Sequence, residues 1–493
     1  MENSFSPSKL LLLALTTPLT YSYAQSLSVT LDYGTFMGSN DTSTGIMSFL
    51  GVRFADPPTR NLRWRAAVSP PSENLGTVNA TEFAPVCASI GQTGDGTSED
   101  CLFGNIFAPS GTTGNDSLPV IVWFHGGAKL KADGQLNAGM QDQQVALKWV
   151  QRYISKFGGD PSRVTIWGES AGAGSTMFHL LANDGKTDGL FHAAMGDSPS
   201  LSFMPTFDSD YIEGIFDFIS SNAGCDLNTD VDVLSCLRSA SLSVLTDAWN
   251  ALVANRTSTL FSFAPFLDGD FLSVRPVEGF ASGRFAKVPV LFGSNTNEGA
   301  GWSSGLPDPA ANTANPNATQ ETVFNFLRGQ WNSFTQDSFN LALDLYPLEN
   351  FNGSFDLQGQ QMYGEARYIC PAGLITAGAA AAGLDAYQYH YDNPHLGSNH
   401  SDDLEAMFPP TPTTANHKDL ALFETMRELF TSFVTSGKPT SSADADWATV
   451  TNPSDDGSPR LLFHPGDIRM ERINRNLNKR CAFWRSLSDE MQF

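Results

Sequence analysis

Short apolar runs recur along this chain, and each has the length of one buried strand. Four of them are L-P-V-I-V-W-F (118–124), R-V-T-I-W (163–167), K-V-P-V-L-F (287–292) and A-Y-Q-Y-H-Y (386–391). Uninterrupted apolar runs of this length are typical of strands covered on both faces of a parallel sheet. An alanine- and leucine-containing stretch with a helical pattern follows the second run. The pattern therefore predicts an α/β protein.

Composition narrows the class of protein further. Only 16% of the 493 residues are charged, and acids exceed bases to give a net charge of −23. Such a balance repels phosphate backbones, so we expect no nucleic-acid partner. We see no repeat or long low-complexity tract that would divide the chain. Residues 25–493 are therefore predicted to form a single domain.

The first 24 residues resemble a secretory signal peptide. Lys9 precedes the apolar stretch Leu10–Leu19, and Ser22-Tyr23-Ala24 offers small residues before a cleavage point. The apolar stretch is shorter than the roughly 20 residues that a membrane span needs. We therefore expect a secreted, extracellular protein without stable membrane insertion. Seven N-x-S/T sequons suit a glycoprotein.

Six cysteines fit three disulfides in an oxidising compartment. Spacing alone permits fifteen pairings. We favour two short loops and one long one, namely Cys87–Cys101, Cys225–Cys236 and Cys370–Cys481. The chain has no C-x-x-C motif, which makes metal binding the weaker alternative.

The run G-E-S-A-G places Ser170 directly between a predicted strand and a predicted helix. Gly168 and Gly172 permit the sharp turn that would lift the serine hydroxyl out of the backbone. An ordinary strand-to-helix turn is the alternative. Upstream, H-G-G-A ends another strand, so Gly127 and Ala128 are candidate oxyanion donors, with Ala171 as a third. We expect His125 to shape this loop.

A serine nucleophile needs a base, and the base needs an orienting acid. Glu298 follows the strand at 287–292, and His395 and His400 follow the strand at 386–391. Both loops leave the carboxyl end of a strand, where sites collect in α/β sheets. The order serine, acid, histidine is that of α/β-hydrolases. Asp268 and Asp270 rival Glu298 by residue type.

Together these segments resemble the type-B carboxylesterase family, which includes cholinesterases and fungal lipases. The resemblance runs along the whole mature chain. It is carried by S-E-D-C-L (98–102), D-Q-Q-V-A-L-K-W-V-Q (142–151), F-G-G-D-P-S-R-V-T (157–165), G-E-S-A-G (168–172), P-F-L-D-G-D (265–270), G-S-N-T-N-E-G (293–299) and R-C-A-F-W (480–484).

The resemblance implies an α/β-hydrolase fold, with a central, mostly parallel sheet flanked by helices. It implies that Ser170 is the nucleophile, Glu298 the acid and His400 the base, and it supports the three disulfide pairings. It implies a serine carboxylic-ester hydrolase that needs no cofactor or metal. Non-catalytic family members that act in adhesion typically lack one of these three residues, and this chain has all of them.

One departure from the family concerns the segment after Ala128. Family members have several tens of residues there, including a sheet strand, before a segment resembling Leu136–Gln143. Here only K-L-K-A-D-G-Q intervenes. We therefore predict an internal deletion and one absent sheet strand, and we favour an incorrectly spliced gene as its cause. Unpaired backbone groups at the gap would weaken the fold and the activity.

The substrate is expected to be a small or lipid-like ester. Family lipases carry a long apolar flap inside the first disulfide loop, whereas the loop between Cys87 and Cys101 is short and polar. It offers little apolar surface to a lipid interface. Soluble or moderately apolar esters are therefore favoured over emulsified triglyceride.

Overall fold

The computed structural model describes residues 27–88, 94–126, 136–225, 232–442, 446–451 and 457–493. The predicted signal peptide lies outside these ranges. The strands are β1 Leu27–Leu31, β2 Gly34–Asp41, β3 Ile46–Arg53, β4 Thr77–Asn79, β5 Val86–Cys87, β6 Thr97–Ser98, β7 Phe103–Pro109, β8 Leu118–Phe124, β9 Gly159–Gly168, β10 Ala193–Asp197, β11 Val290–Asn295, β12 Ala386–Tyr391, β13 Pro459–Phe463 and β14 Arg469–Arg472.

Helices connect the strands from β8 to β13. They are α1 Ala138–Tyr153, α2 Ala171–Gly185, α3 Asp210–Asn222, α4 Val233–Ser239, α5 Leu242–Asn255, α6 Pro276–Ser282, α7 Gln320–Gln330, α8 Gln336–Leu343, α9 Phe355–Gly364, α10 Cys370–Ala381, α11 Leu404–Met407, α12 His417–Ser436, α13 Arg475–Ser486 and α14 Ser488–Met491. Short 3₁₀ turns cover Arg60–Leu62, Ile154–Phe157, Ser303–Gly305 and Leu348–Phe351, and a π-helical turn, Glu365–Ile369, joins α9 to α10.

A seven-stranded sheet forms the centre of the molecule, in the order β14-β13-β12-β11-β10-β9-β8. Neighbouring strands from β8 to β13 run parallel, and only β14 is antiparallel. The four apolar runs of the sequence therefore became strands β8, β9, β11 and β12. The predicted α/β class is confirmed.

A separate core cluster packs on each face of the inner strands of the central sheet, and successive side chains of these strands point to opposite faces. Ile166 and Val290 join one core cluster, while their neighbours Trp167 and Leu291 join a second. This explains why the strand sequences are continuously apolar rather than alternating. A third, smaller cluster packs α3, α4 and α5 around Trp249.

A second sheet near the amino terminus has the order β1-β2-β3-β7, with β4 paired to β2. In the described residues, β7 ends this sheet and β8 ends the central one, and the two strands are not paired with each other. Phe107 of β7 is 59% exposed and Ile121 of β8 is 46% exposed. Two open, partly apolar edges agree with an absent strand beside β8. The deletion itself stays a prediction.

The three predicted disulfides are present. Their Cα–Cα distances are 4.9 Å for Cys87–Cys101, 5.6 Å for Cys225–Cys236 and 5.2 Å for Cys370–Cys481. The last one closes a sequence separation of 111 residues and fixes α13 to the start of α10.

Candidate active site

Ser170 lies on a strained turn between β9 and α2. Its backbone φ is 57° and its ψ is −119°, a conformation that an L-residue seldom adopts. Gly168 and Gly172, on either side of the serine, lie too close to neighbouring backbone atoms to carry a side chain. A Cβ on Gly168 would lie 2.4 Å from the carbonyl carbon of Gly172, and a Cβ on Gly172 would lie 2.0 Å from the carbonyl oxygen of Phe124. The turn therefore presents the serine hydroxyl above the end of the sheet.

His400 reaches this hydroxyl from the loop after β12. Its Nε2 lies 2.8 Å from the Oγ of Ser170, and its Nδ1 lies 2.6 Å from Oε2 of Glu298. All three side chains are largely buried, with Glu298 only 1% exposed. The three residues that the family resemblance singled out thus form one continuous hydrogen-bonded line, although they are up to 230 positions apart.

Hydrogen bonds hold Glu298 so that one oxygen is left for the histidine. Its Oε1 accepts from the hydroxyl of Ser198 at 2.5 Å and from the backbone N–H of Asn295 at 2.6 Å. Its Oε2 faces His400. Sequence reasoning missed Ser198, which follows β10 in the run G-D-S-P-S. Its position just after the carboxyl end of a strand is the signal that could have found it.

The rival residues lie in other environments. Asp268 hydrogen-bonds the side chain of Asn137 at 2.6 Å and the backbone of Leu272 at 2.8 Å. The neighbouring acid, Asp270, donates its backbone N–H to Asp268. His395 pairs with Asp419 at 2.7 Å, so it is not the histidine that faces the serine.

The candidate oxyanion donors are only partly described. Ala171 begins α2, and the first N–H groups of a helix have no partner within the helix. Gly127 and Ala128 lie outside the described residues. The structure does show their neighbours: His125 is exposed, and its Nδ1 lies 2.9 Å from the carbonyl oxygen of Gly126.

A second carboxyl group faces the histidine. Oε1 of Glu169 lies 3.3 Å from Nε2 of His400 and also accepts from the hydroxyl of Ser401. Burial raises the pKa of Glu169 to about 7, against the lowering effects of His400 and Ser401. Burial by itself would lower the pKa of His400, but the hydrogen bond and charge of Glu298, with the charge of Glu169, outweigh it and raise that pKa.

Behind the histidine, a single hydroxyl joins two buried acids. The hydroxyl of Tyr389 lies 2.9 Å from Oδ1 of Asp197 and 2.7 Å from Oδ2 of Asp403. A tyrosine has one proton to donate, and an ionised carboxylate can only accept. One of the two acids must therefore carry a proton while both contacts exist. Burial raises the pKa of both, that of Asp403 to about 6.

This acid pair is tied to the turn that carries the serine. The backbone oxygen of Asp197 accepts the N–H of Ser170 at 2.9 Å, and its side chain accepts from the indole of Trp167 at 2.9 Å. Asp403 accepts from the side chain of Asn295 at 3.0 Å. Across the described ranges, no group of three or more histidine, cysteine or acidic residues could hold a metal ion. None of the helices described there is long and apolar enough to cross a membrane.

A sequence model of the carboxylesterase family matches residues 25–136 and 130–484. The chain belongs to this family. As a member of this family, it is a carboxylic ester hydrolase. The two matched ranges overlap at residues 130–136, shortly after Ala128, which the predicted deletion follows.

Similar proteins agree with this assignment. Lipase 4 of Diutina rugosa is 32% identical over 342 residues, which cover 53% of this chain and 61% of that lipase. The secreted triacylglycerol lipase LIP1 of Gibberella zeae is 28% identical over 78% of this chain and 79% of its own length. A crystal structure of Aspergillus niger EstA superimposes with a TM-score of 0.82 and 28% identity, over 95% of this chain and 99% of that one. The fold is therefore the predicted α/β-hydrolase fold.

Proposed function

We propose that the chain hydrolyses carboxylic esters through an acyl-enzyme on Ser170, with His400 as the base and Glu298 as the acid that orients it. The observation that carries this proposal is the continuous contact from Ser170 Oγ through the imidazole to Glu298, at 2.8 Å and 2.6 Å. Nucleophile, base and orienting acid within hydrogen-bond reach are the arrangement that acyl transfer requires.

The reaction follows from these contacts. The Oγ of Ser170 bonds to the ester carbonyl carbon while its proton passes to Nε2 of His400. The imidazolium, stabilised by Glu298, then gives that proton to the departing alkoxide, and the alcohol leaves. A water molecule repeats the attack on the acyl-enzyme with the same proton route. It releases the carboxylic acid and restores the serine hydroxyl.

Charge on the carbonyl oxygen needs backbone donors during both attacks. We propose the N–H groups of Ala171, Gly127 and Ala128 for this role. Ala171 follows the nucleophile at the start of a helix, where N–H groups point outward without partners. Loss of one such donor typically lowers the rate by about 100- to 1000-fold.

The substrate is proposed to be a soluble or moderately apolar ester. The loop closed by Cys87 and Cys101 is short and mostly polar, so it has little apolar surface to set against an emulsified lipid. We further propose that residues 1–24 are a signal peptide and that 25–493 form one secreted domain. Three disulfides and a secreted relative fit an extracellular protein. Amino-terminal sequencing of the secreted protein should show that the mature chain begins directly after Ala24.

Replacement of the nucleophile tests the mechanism. Ser170→Ala should lower kcat on a short-chain aryl ester by about 10⁴-fold or more while leaving the protein folded. Ser220→Ala is a matched control, because Ser220 is fully buried in α3 and its hydroxyl contacts only the backbone of Asp217. Activity of the Ser170 variant within tenfold of the unaltered protein would rule out this nucleophile.

A second candidate is a poorly folding, weakly active product of a shortened gene. The open edges of β7 and β8 favour it, because unpaired apolar edges invite aggregation. Secreted yield and ester turnover should both rise when a family-like segment is inserted between Ala128 and Lys129. Equal yield and equal turnover with and without the segment would show that the gap is no defect.

A further inference from the structure

A cavity that none of the three triad residues lines lies between α3, the segment 261–266 and Arg367. Its empty volume is about 880 Å³ when the open solvent at its mouth is counted. Most of its wall is apolar, from residues such as Phe203, Ile215 and Phe261, and the charged side chain in its wall is that of Arg367. A largely apolar pocket with a few polar groups that fix orientation is the usual form of a small-molecule site.

Arg367 is a buried cation without a carboxylate partner. It is 4% exposed, its Nη2 donates to the hydroxyl of Ser202 at 3.3 Å, and its Nε has no hydrogen-bond partner within the described ranges. Two other arginines are comparably buried, and both have an acid. Arg63 pairs with Glu99 at 2.7 Å, and Arg460 pairs with Glu471 at 2.7 Å.

Burial of an unpaired charge is unfavourable, so the buried guanidinium of Arg367 needs an explanation. Three aromatic rings compensate in part, since the guanidinium carbon lies 4.9 Å from the ring centre of Phe261 and 5.7–5.9 Å from those of Tyr368 and Tyr363. The side chain of Tyr368 also forms a hydrogen bond with the guanidinium. None of these groups is an acid, and the Nε of Arg367 keeps no hydrogen-bond partner in the described residues. Arg367 also belongs to the π-helical turn 365–369, and such departures from α-helix frequently occur at functional sites.

Direct contacts connect this arginine to the triad. Tyr368, the next residue, packs its ring 4.2 Å from that of His400. On the other side, the N–H of Ser200 lies 3.3 Å from the carbonyl oxygen of Ser170, and Ser202 is the residue that contacts Arg367. Two residues of chain span at most about 7 Å. Only the short segment 200–202 therefore separates Arg367 from the turn that carries Ser170.

We propose that Arg367 binds a carboxylate on the substrate, and that the preferred esters are monoesters of short dicarboxylic acids. This inference rests on the proposed function of Ser170. The ester carbonyl would lie at Ser170, and the free carboxylate would supply the missing partner of Arg367 in the cavity. Hydrolysis consumes one water, breaks the acyl C–O bond and releases an alcohol and a dicarboxylate, so no further reactant is needed.

The electrostatics of the site support this choice. The charges of Glu298, Glu169 and Asp403 act on His400, and the whole chain carries a net charge of −23. An anionic ester is repelled by such surroundings unless a cation binds it. A desolvated guanidinium forms charge-assisted, bidentate hydrogen bonds to a carboxylate, which are the strongest class of such contacts.

Paired esters measure the selectivity. The 4-nitrophenyl monoester of glutaric acid and 4-nitrophenyl butyrate differ chiefly by a terminal carboxylate. Arg367→Met should lower the ratio of their kcat/KM values by about 10- to 100-fold, mainly through the KM of the glutarate ester. Arg367→Lys should restore part of the ratio. Arg328→Met is the control, because Arg328 is an exposed arginine of α7, and the ratio should not change.

Stability separates recognition from a structural role. Removal of an uncompensated buried charge should leave Tm unchanged or raise it. A fall in Tm for Arg367→Met, with equal losses on both esters, would show that the arginine is structural and would overturn the inference.

Binding of glutarate itself gives a readout that does not depend on turnover. Calorimetry should detect glutarate binding to Ser170→Ala and no binding once Arg367→Met is added. If the unaltered protein cleaves the butyrate ester without preferring the glutarate ester, and glutarate does not bind, Arg367 has no such role while the proposed function stands. If neither ester is cleaved, the proposed function fails. In that case, glutarate binding alone shows whether Arg367 binds a carboxylate.

Discussion

Asp197→Asn should make the protein more stable at neutral and alkaline pH. Asp197 and Asp403 share one tyrosine hydroxyl, so one of them must hold a proton while both contacts exist. An asparagine at 197 removes that need. Its amide can donate to the oxygen of Tyr389, Tyr389 can donate to an ionised Asp403, and the amide oxygen can still accept from Trp167.

The size of the effect follows from proton linkage. A carboxyl with a raised folded pKa stays protonated in the folded protein while it ionises in the unfolded chain. Folded stability is therefore complete below the unfolded pKa and falls by about 1.4 kcal/mol per pH unit until the folded pKa is reached. For Asp403, whose pKa rises from 3.8 to about 6, the loss amounts to about 3 kcal/mol. Asparagine at 197 leaves the burial of Asp403 in place, so it relieves the corresponding loss of Asp197, whose pKa is raised by burial and by the charge of Asp403.

Thermal unfolding between pH 4 and pH 9 measures this. Unfolding entropy of about 2 cal/mol/K per residue, over 493 residues, gives a shift of about 1 °C for each kcal/mol. The variant should match the unaltered protein near pH 4 and exceed it by a margin in Tm that widens as the pH rises, by about 1 °C for each kcal/mol regained. Asp308→Asn is a control of opposite sign, because hydrogen bonds from Ser258 and Ala310 lower the pKa of Asp308. A constant difference at every pH would refute the shared proton.

Three further outcomes test the site and the fold. The pKa of His400 is raised above 6.5, so kcat/KM should increase with pH through an apparent pKa above that value. A value of kcat/KM that is flat from pH 5 to 9 would contradict the role of His400 as base. Glu169→Gln removes a negative charge 3.3 Å from Nε2 of His400, so the rise of kcat/KM should move to lower pH by about half a unit or more. An unmoved pH profile would show that Glu169 does not interact with the base. Replacing Cys370 and Cys481 by serine should lower the free energy of unfolding by about 4–5 kcal/mol, measured by denaturant titration. An unchanged unfolding midpoint would show that closing the long loop does not stabilise the protein.

The sequence predicted those features that depend on neighbouring residues. The strand-turn-helix around Ser170 is encoded locally by an apolar run and two glycines, and the structure has it as expected. Residue type alone could not separate Glu298 from Asp268, nor His400 from His395. Those choices came from the resemblance to a family, because the contacts join loops more than 100 positions apart.

The missed features are contacts between side chains that are distant in sequence. Ser198 meets Glu298 across 100 positions, and Tyr389 meets Asp197 across 192. Nothing in the sequence around Arg367 shows that it lacks an acid, because pairing depends on what the fold brings near it. Burial reverses the usual expectation here, since an arginine in sequence suggests an exposed charge.

The acids around His400 have different effects because their hydrogen bonds differ. Glu298 accepts two hydrogen bonds besides that of the histidine, and these bonds hold it in position to stabilise an imidazolium. Glu169 has the hydroxyl of Ser401 and the histidine, and burial raises its pKa to about 7. Asp197 and Asp403 share a hydroxyl and so cannot both be ionised while they keep it. Glu298 is therefore the acid held most firmly beside the base, because two donors bind one of its oxygens while the other oxygen faces the imidazole.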